Sequence, residues 1–188
     1  MNIKASDIRR GMIVHIDGIN YVVSDFAHRT PGNLRAFVQA KLKNMNNGST
    51  AEKRFRSDEQ IEVPFVESRE FEYIYSSNGE HIFMDSETFD QITFPDDMVG
   101  PSMQYLLPNT KVLVKFIDDK PASIDLPASV DLVVTDTPPS LKGATATNQY
   151  KDATLETGLK VTVPPFIGPG EKIRIDTRTG EYVERVKS

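Results

Sequence analysis

Apolar and polar side chains alternate with a two-residue period over many short stretches of this chain, the pattern of half-buried β-strands. Residues 12–16 and 19–23 carry it on either side of Asp17-Gly18, a dipeptide suited to a tight hairpin. Residues 70–75 and 81–84 repeat the arrangement around Asn78-Gly79, and residues 111–117 and 123–126 around Asp118-Asp119. In a further pair, residues 19–26 and 36–43 flank the segment His28-Arg29-Thr30-Pro31-Gly32-Asn33-Leu34-Arg35. Proline presets one dihedral and glycine tolerates positive φ, so this segment predicts a pointed hairpin tip from which Asn33, Leu34 and Arg35 project.

Turn signals recur at Asn47-Gly48, Gly168-Pro169-Gly170 and Thr179-Gly180, leaving short strands between them. Serines at 86 and 102 suit N-caps, so residues 86–91 and 102–107 are each expected to form about a turn or two of helix. Strand pattern, proline and charge shift together near Val63-Pro64 and Leu126-Pro127, dividing the chain into three modules, residues 1–64, 65–126 and 127–188. The expected class is all-β, built from small barrels.

Charge sharpens that division. The 188 residues carry a formal charge of −5, but residues 1–64 hold 10 Lys/Arg against 7 Asp/Glu, residues 65–126 hold 4 against 12, and residues 127–188 hold 8 of each. A basic end on an acidic body orients a molecule towards phosphate backbones by that end. No apolar run is long enough to span a bilayer, and the first residues lack a signal peptide's apolar core, so a soluble, cytoplasmic protein without a membrane partner is expected. The absence of cysteine excludes disulfides and thiolate metal sites.

Candidate chemistry is sparse. His15, His28 and His81 stand in separate contexts with no spacing for a metal site. Asp96-Asp97 and Asp118-Asp119 sit in turns, where aspartate bonds its own backbone. Gly168-Pro169-Gly170-Glu171-Lys172 lacks the spacing of a phosphate loop and reads as a β-turn. Phe71, Tyr73 and Tyr75 have the spacing that oligonucleotide-binding barrels use for stacking, but the intervening Glu70 and Glu72 favour core packing instead. The hairpin tip is different, because His28, Arg29, Arg35, Lys41 and Lys43 around it are apt for phosphate contact and Leu34 is placed to be exposed.

Several ordered stretches resemble bacterial translation elongation factor P over essentially the whole chain. They are Pro31-Gly32 with Ala36-Phe37-Val38 and Lys41-Leu42-Lys43-Asn44; Glu52-Lys53-Arg54-Phe55-Arg56-Ser57; Tyr73-Ile74-Tyr75 with Phe83-Met84-Asp85 and Glu87-Thr88-Phe89; and, most specific, Val133-Val134-Thr135-Asp136-Thr137-Pro138-Pro139, Lys142-Gly143-Ala144-Thr145-Ala146, Ala153-Thr154-Leu155-Glu156-Thr157-Gly158 and Ile175-Asp176-Thr177-Arg178-Thr179-Gly180-Glu181-Tyr182-Val183-Glu184-Arg185-Val186. The resemblance implies three β-barrels in an L shape like transfer RNA, an SH3-like (KOW-type) domain followed by two OB-type barrels. It implies a monomer without cofactor or metal that binds the ribosome beside the peptidyl site. There it would reach the acceptor end of peptidyl-tRNA with the first-domain loop and relieve stalls at consecutive prolines. Such a protein is an accessory to ribosomal peptidyl transfer with no catalytic residue of its own. The resemblance also places Tyr182 and Arg185 towards the ribosome or tRNA, and Lys142, in the loop 142–147, near the small subunit. For Tyr182 a core role on a terminal strand stays equally open.

The chain departs from the family at the tip. In the best-known members a lysine or arginine follows Pro-Gly and is enzymatically extended; here Asn33 occupies that place. Three readings follow: Asn33 works unmodified, with Arg29 and Arg35 on phosphates; Arg35 is modified in its stead; or the chain is a diverged paralogue that only docks. The first is preferred. A free-standing RNA-binding regulator is the rival in another class, and the acidic middle module weighs against it. An enzyme with a carboxylate pair ranks last.

Overall fold

The computed structural model describes residues 1–139 and 149–187. It is all-β, with three antiparallel sheets. The first comprises β1 (Asn2–Lys4), β2 (Ile13–Ile16), β3 (Ile19–Arg29), β4 (Phe37–Asn44), β5 (Thr50–Arg56) and β6 (Gln60–Glu62), in the spatial order β1-β6-β2-β3-β4-β5. The second comprises β7 (Val66–Ser77), β8 (Glu80–Asp85), β9 (Gln91–Pro95), β10 (Lys111–Ile117) and β11 (Lys120–Asp125), ordered β11-β10-β7-β8-β9. The third comprises β12 (Ser129–Asp136), β13 (Lys151–Leu155), β14 (Lys160–Val163), β15 (Lys172–Asp176) and β16 (Tyr182–Arg185), ordered β14-β13-β12-β15-β16. The described chain separates into two compact units, one formed by Met1–Glu67 with Lys115–Ala122 and the other by the remainder.

The hairpins turn where the sequence predicts. Asp17 and Gly18 have φ of 50° and 79°, Asn78 and Gly79 52° and 75°, and Asp118 and Asp119 48° and 64°. Two successive left-handed residues give the turn whose twist matches that of the flanking strands. The alternating faces then bury as one. Val14, Val23, Val38, Ala40, Leu42, Phe55 and Ile61 form the core of the first sheet together with Ala5 and Ile8. Eleven buried residues of the third sheet and its loops, from Val130 to Ile175, form another core, and Tyr105 and Leu107 of the preceding segment pack against it. Thr157 Oγ1 donates to the carbonyl of Gln104 at 2.5 Å, tying that segment to the third sheet.

In the second sheet Phe71 and Tyr73 are buried but Tyr75 is 52% exposed. The reason is a register shift between Tyr73 and Tyr75 opposite β8, an irregularity that reverses the facing of the residues beyond it. Tyr73 packs on Phe83 and Phe83 on Phe94, each pair 5.5 Å between ring centroids. His81, buried near the start of β8, bonds Ser76 Oγ through Nδ1 and Asp96 through Nε2, and Ser76 in turn bonds the Tyr73 hydroxyl. The sequence placed His81 and Asp96 in separate contexts; folding joins them into one chain of hydrogen bonds that links β7, β8 and the start of the Asp96–Val99 helix.

Of the two helical turns expected, the one over 102–107 is met in part, by 3-10 turns over Gly100–Tyr105, and the one over 86–91 is not formed. Residues 86–90 instead form the turn into β9, because the Asp85 carboxylate accepts the amides of Glu87 and Thr88 at 2.8 and 3.1 Å and Phe89 then takes φ of 63°, which halts helix growth. The described helical segment of this module starts at Asp96, runs Asp96–Val99 and continues as 3-10 turns over Gly100–Tyr105, with Pro95 rather than a serine at its N-cap.

Candidate nucleic-acid interface

The site is built on the hairpin of β3 and β4. Its ladder runs further than the sequence suggests, with His28 opposite Val38 and Arg29 opposite Phe37, so these two residues belong to the strand and the loop spans 30–36. Within that loop the Leu34 amide donates to the Pro31 carbonyl at 3.0 Å, placing Pro31 first in the turn with Gly32 and Asn33 at its centre. Gly32 stays outside the left-handed region, contrary to the expectation that it supplies a positive φ. A methyl group added there would meet nothing within 4 Å. Asn33 and Arg35 are exposed, and Leu34 is 72% exposed. The tip is therefore a bare projection, with an apolar side chain in solvent and a cation beside it.

Cross-strand partners share a face of a sheet. The registers of β3 with β4 and β4 with β5 therefore lay out successive rows on the outer face, starting at the loop: Arg29, Phe37 and Arg56; then Ala27, Gln39 and Arg54; then Asp25, Lys41 and Glu52. Arg54 reaches towards the tip and lies 3.6 Å over the Phe37 ring centroid. Three arginines thus share the outer face next to Phe37, with Arg54 stacked on its ring and Arg29 and Arg56 as its cross-strand partners. Arg54 and Arg56 carry no signal of this in the linear sequence, because they enter the site through a third strand; a correct pairing of residues 37–44 with 50–56 would have found them.

The predicted cations differ in what surrounds them. Lys41 lies in the third row with an acid as its cross-strand neighbour on either side, Asp25 and Glu52, and Gln39 donates to Glu52 at 3.0 Å. Lys43 lies one row further from the tip, opposite Val22 and Thr50. His28 alternates to the other face, where its Nε2 contacts Ser57 Oγ at 3.5 Å, and it does not join the arginines.

The remaining predicted positions lie in the C-terminal module. Tyr182 is half-buried against the module's core, and burial is the main force pushing its phenol above the ordinary value. Arg185 is exposed, pairs with Glu171 at 3.0 Å and lies 5.3 Å from the exposed Phe166 ring centroid. Glu171 also accepts the Gly168 amide at 2.6 Å, and that bond, followed by Arg185, holds its carboxyl below the usual range. Lys142 lies outside the described residues.

Three family profiles match in succession: the elongation factor P KOW-like domain over residues 4–61, the elongation factor P OB domain over 66–124, and the elongation factor P C-terminal domain over 130–185. The chain is 46% identical over 185 residues to elongation factor P of Acidobacterium capsulatum, spanning 98% of this chain and all of that protein. It is 45% identical over 184 residues to elongation factor P of a Thermoanaerobacter species, again across 98% of this chain and the whole relative. Among solved structures, translation initiation factor 5A from Methanococcus jannaschii superposes with a TM-score of 0.57 at 17% identity, covering 67% of this chain and 92% of that one. That superposition speaks for the fold alone.

Proposed function

The chain belongs to the elongation factor P family of translation factors, and from that membership we propose that it binds the ribosome beside the peptidyl site and steadies the acceptor end of peptidyl-tRNA with the 30–36 loop. The observation that carries this reading is the gradation of charge along the hairpin. Next to the tip Arg54 stacks on Phe37 while Arg29 and Arg56 are its cross-strand partners, whereas two rows further back Lys41 has the acids Asp25 and Glu52 as its cross-strand neighbours. Such a surface attracts a phosphate backbone at one end only, and the exposed Asn33, Leu34 and Arg35 lead it in. The domain limits that accompany this reading are 1–64, 65–126 and 127–188, with Lys43, His28, Tyr182, Arg185 and Lys142 as peripheral contacts.

The physical task is orientation. Proline is a constrained secondary amine, and a prolyl nascent chain lets peptidyl-tRNA drift from a reactive pose; fixing the acceptor end restores the geometry that bond formation requires. The ribosome makes the bond, so this protein needs no nucleophile, cofactor or metal, and it acts as a cytoplasmic monomer. Asn33 serves unmodified, because its amide both donates and accepts hydrogen bonds at the sugar-phosphate chain, while the arginines hold the phosphates.

A polyproline reporter in cells lacking their own factor tests this. Wild type restores expression; Asn33→Ala and Arg35→Ala each reduce it, and the Arg29→Ala/Arg54→Ala/Arg56→Ala triple variant abolishes it. Full rescue by both single variants shows that the tip is wrongly assigned. An intact-mass measurement of the native protein is expected to equal the mass of the unmodified sequence, and added mass mapping to residues 30–36 overturns the unmodified Asn33. Ribosome binding without any rescue by wild type identifies a diverged paralogue instead.

A further inference from the structure

The second module exposes several large apolar side chains, and Phe89 is the most exposed of those described. Phe89 is 68% exposed, so its ring contributes little to any core, and its backbone takes φ of 63°. That region is disfavoured for any residue with a Cβ and an outlier for a bulky one; glycine or asparagine would occupy it at less cost. Strain of this kind persists where the surroundings over-determine it, and it is often tied to a function.

The surroundings here do so. The Phe89 amide donates to the Asp85 carbonyl at 2.9 Å, and the Asp85 amide donates across the turn to the Asp90 carbonyl at 2.8 Å. The Asp85 carboxylate, 3% exposed, accepts the Glu87 and Thr88 amides and lies 3.6 Å from an Arg69 guanidinium nitrogen. Thr88 Oγ1 donates to Asp90 at 3.1 Å. A phenyl ring is thus held outward on a short turn fixed by several backbone hydrogen bonds, so docking it elsewhere loses little conformational entropy.

The charge around it selects the partner. Glu87 and Asp90 are exposed on the same turn, and residues 65–126 hold 12 acidic against 4 basic residues. An unpaired base stacked on Phe89 would bring its phosphates against these carboxylates, whereas a basic protein surface would meet them favourably. We propose that Phe89 is an anchor that inserts into an apolar pocket on a positively charged protein of the ribosome, rather than onto ribosomal RNA. This deepens the ribosome-binding reading and rests on it.

Two measurements on the full chain with purified 70S ribosomes test the proposal. The first replaces Phe89 by p-benzoylphenylalanine, and irradiation of the complex is expected to give a crosslink that survives ribonuclease and is removed by protease. A crosslink to RNA alone, or none from a protein that still co-sediments with ribosomes, overturns it. The second compares Phe89→Gly with wild type. The variant is expected to melt no lower, since glycine suits the backbone, and to bind ribosomes roughly tenfold more weakly. Unchanged affinity overturns the proposal, and so does a lower melting temperature, which would mean that the ring serves the fold. If the wild-type protein does not co-sediment, the ribosome-binding reading fails and this inference falls with it; loss at position 89 alone leaves that reading intact.

Discussion

Asp85→Asn tests whether one carboxylate sets the β8–β9 turn. The substitution keeps the size of the side chain and one acceptor oxygen but removes the charge. In the native protein that charge receives two backbone amides, at 2.8 and 3.1 Å, with Arg69 at 3.6 Å. A hydrogen bond to a charged group is worth about 1 kcal/mol more than its neutral counterpart, so two contribute about 2 kcal/mol. The Arg69 pair, with the arginine 41% exposed, adds well under about 1 kcal/mol after screening. The expected loss is therefore about 2–3 kcal/mol, roughly 10 °C in the melting temperature of a unit this size. Calorimetry reads the loss globally, and amide exchange at Glu87 and Thr88 reads it locally, because those protons are released when the turn opens. The two backbone bonds, first Glu87 and then Thr88, hold the Asp85 carboxyl below its ordinary value. A depressed folded-state value contributes stability that is complete above the unfolded value near about 3.9 and is lost as the pH falls from there through the folded value. The gap between wild type and Asp85→Asn must therefore close on acidification over that window. An equal melting temperature at neutral pH, or a gap that persists when Asp85 is protonated, refutes the argument.

Gly180 has φ of 74°, and a Cβ there would stand 3.0 Å from the Tyr105 hydroxyl. Gly180→Ala is expected to cost about 1–2 kcal/mol from the backbone alone, measured by denaturant titration, with Tyr105→Phe relieving only the steric part. The double variant Arg54→Ala/Arg56→Ala is expected to weaken ribosome binding and to lower the log–log salt slope by about one per arginine, measured by co-sedimentation across ionic strengths; an unchanged slope would remove these residues from the interface.

The sequence determined the class, the number of sheets and the turns that join their strands. Those features depend on interactions between residues close in the chain. Alternation fixes which side of a strand is buried, and Asp17-Gly18, Asn78-Gly79 and Asp118-Asp119, each between two alternating strands, form the left-handed pairs of tight hairpins. It also showed that the tip lacks the expected lysine or arginine, since Asn33 is a matter of identity rather than geometry.

Tertiary structure decided which charges act together. His28 and Arg29 are adjacent in the chain yet face opposite sides of the hairpin, while Arg54 and Arg56 come from a separate strand to stand beside Phe37. Lys41 counts as a cation in the sequence, but its two cross-strand neighbours are acids. An irregularity after Tyr73 turned Tyr75 outwards, and one buried carboxylate converted an expected helix at 86–91 into a turn that exposes Phe89. Each of these outcomes depends on strand register or on a buried polar partner. Both couple residues far apart in the chain or hinge on a single bond, so periodicity and composition leave them open, and the hairpin tip gains its set of arginines only once three strands are paired.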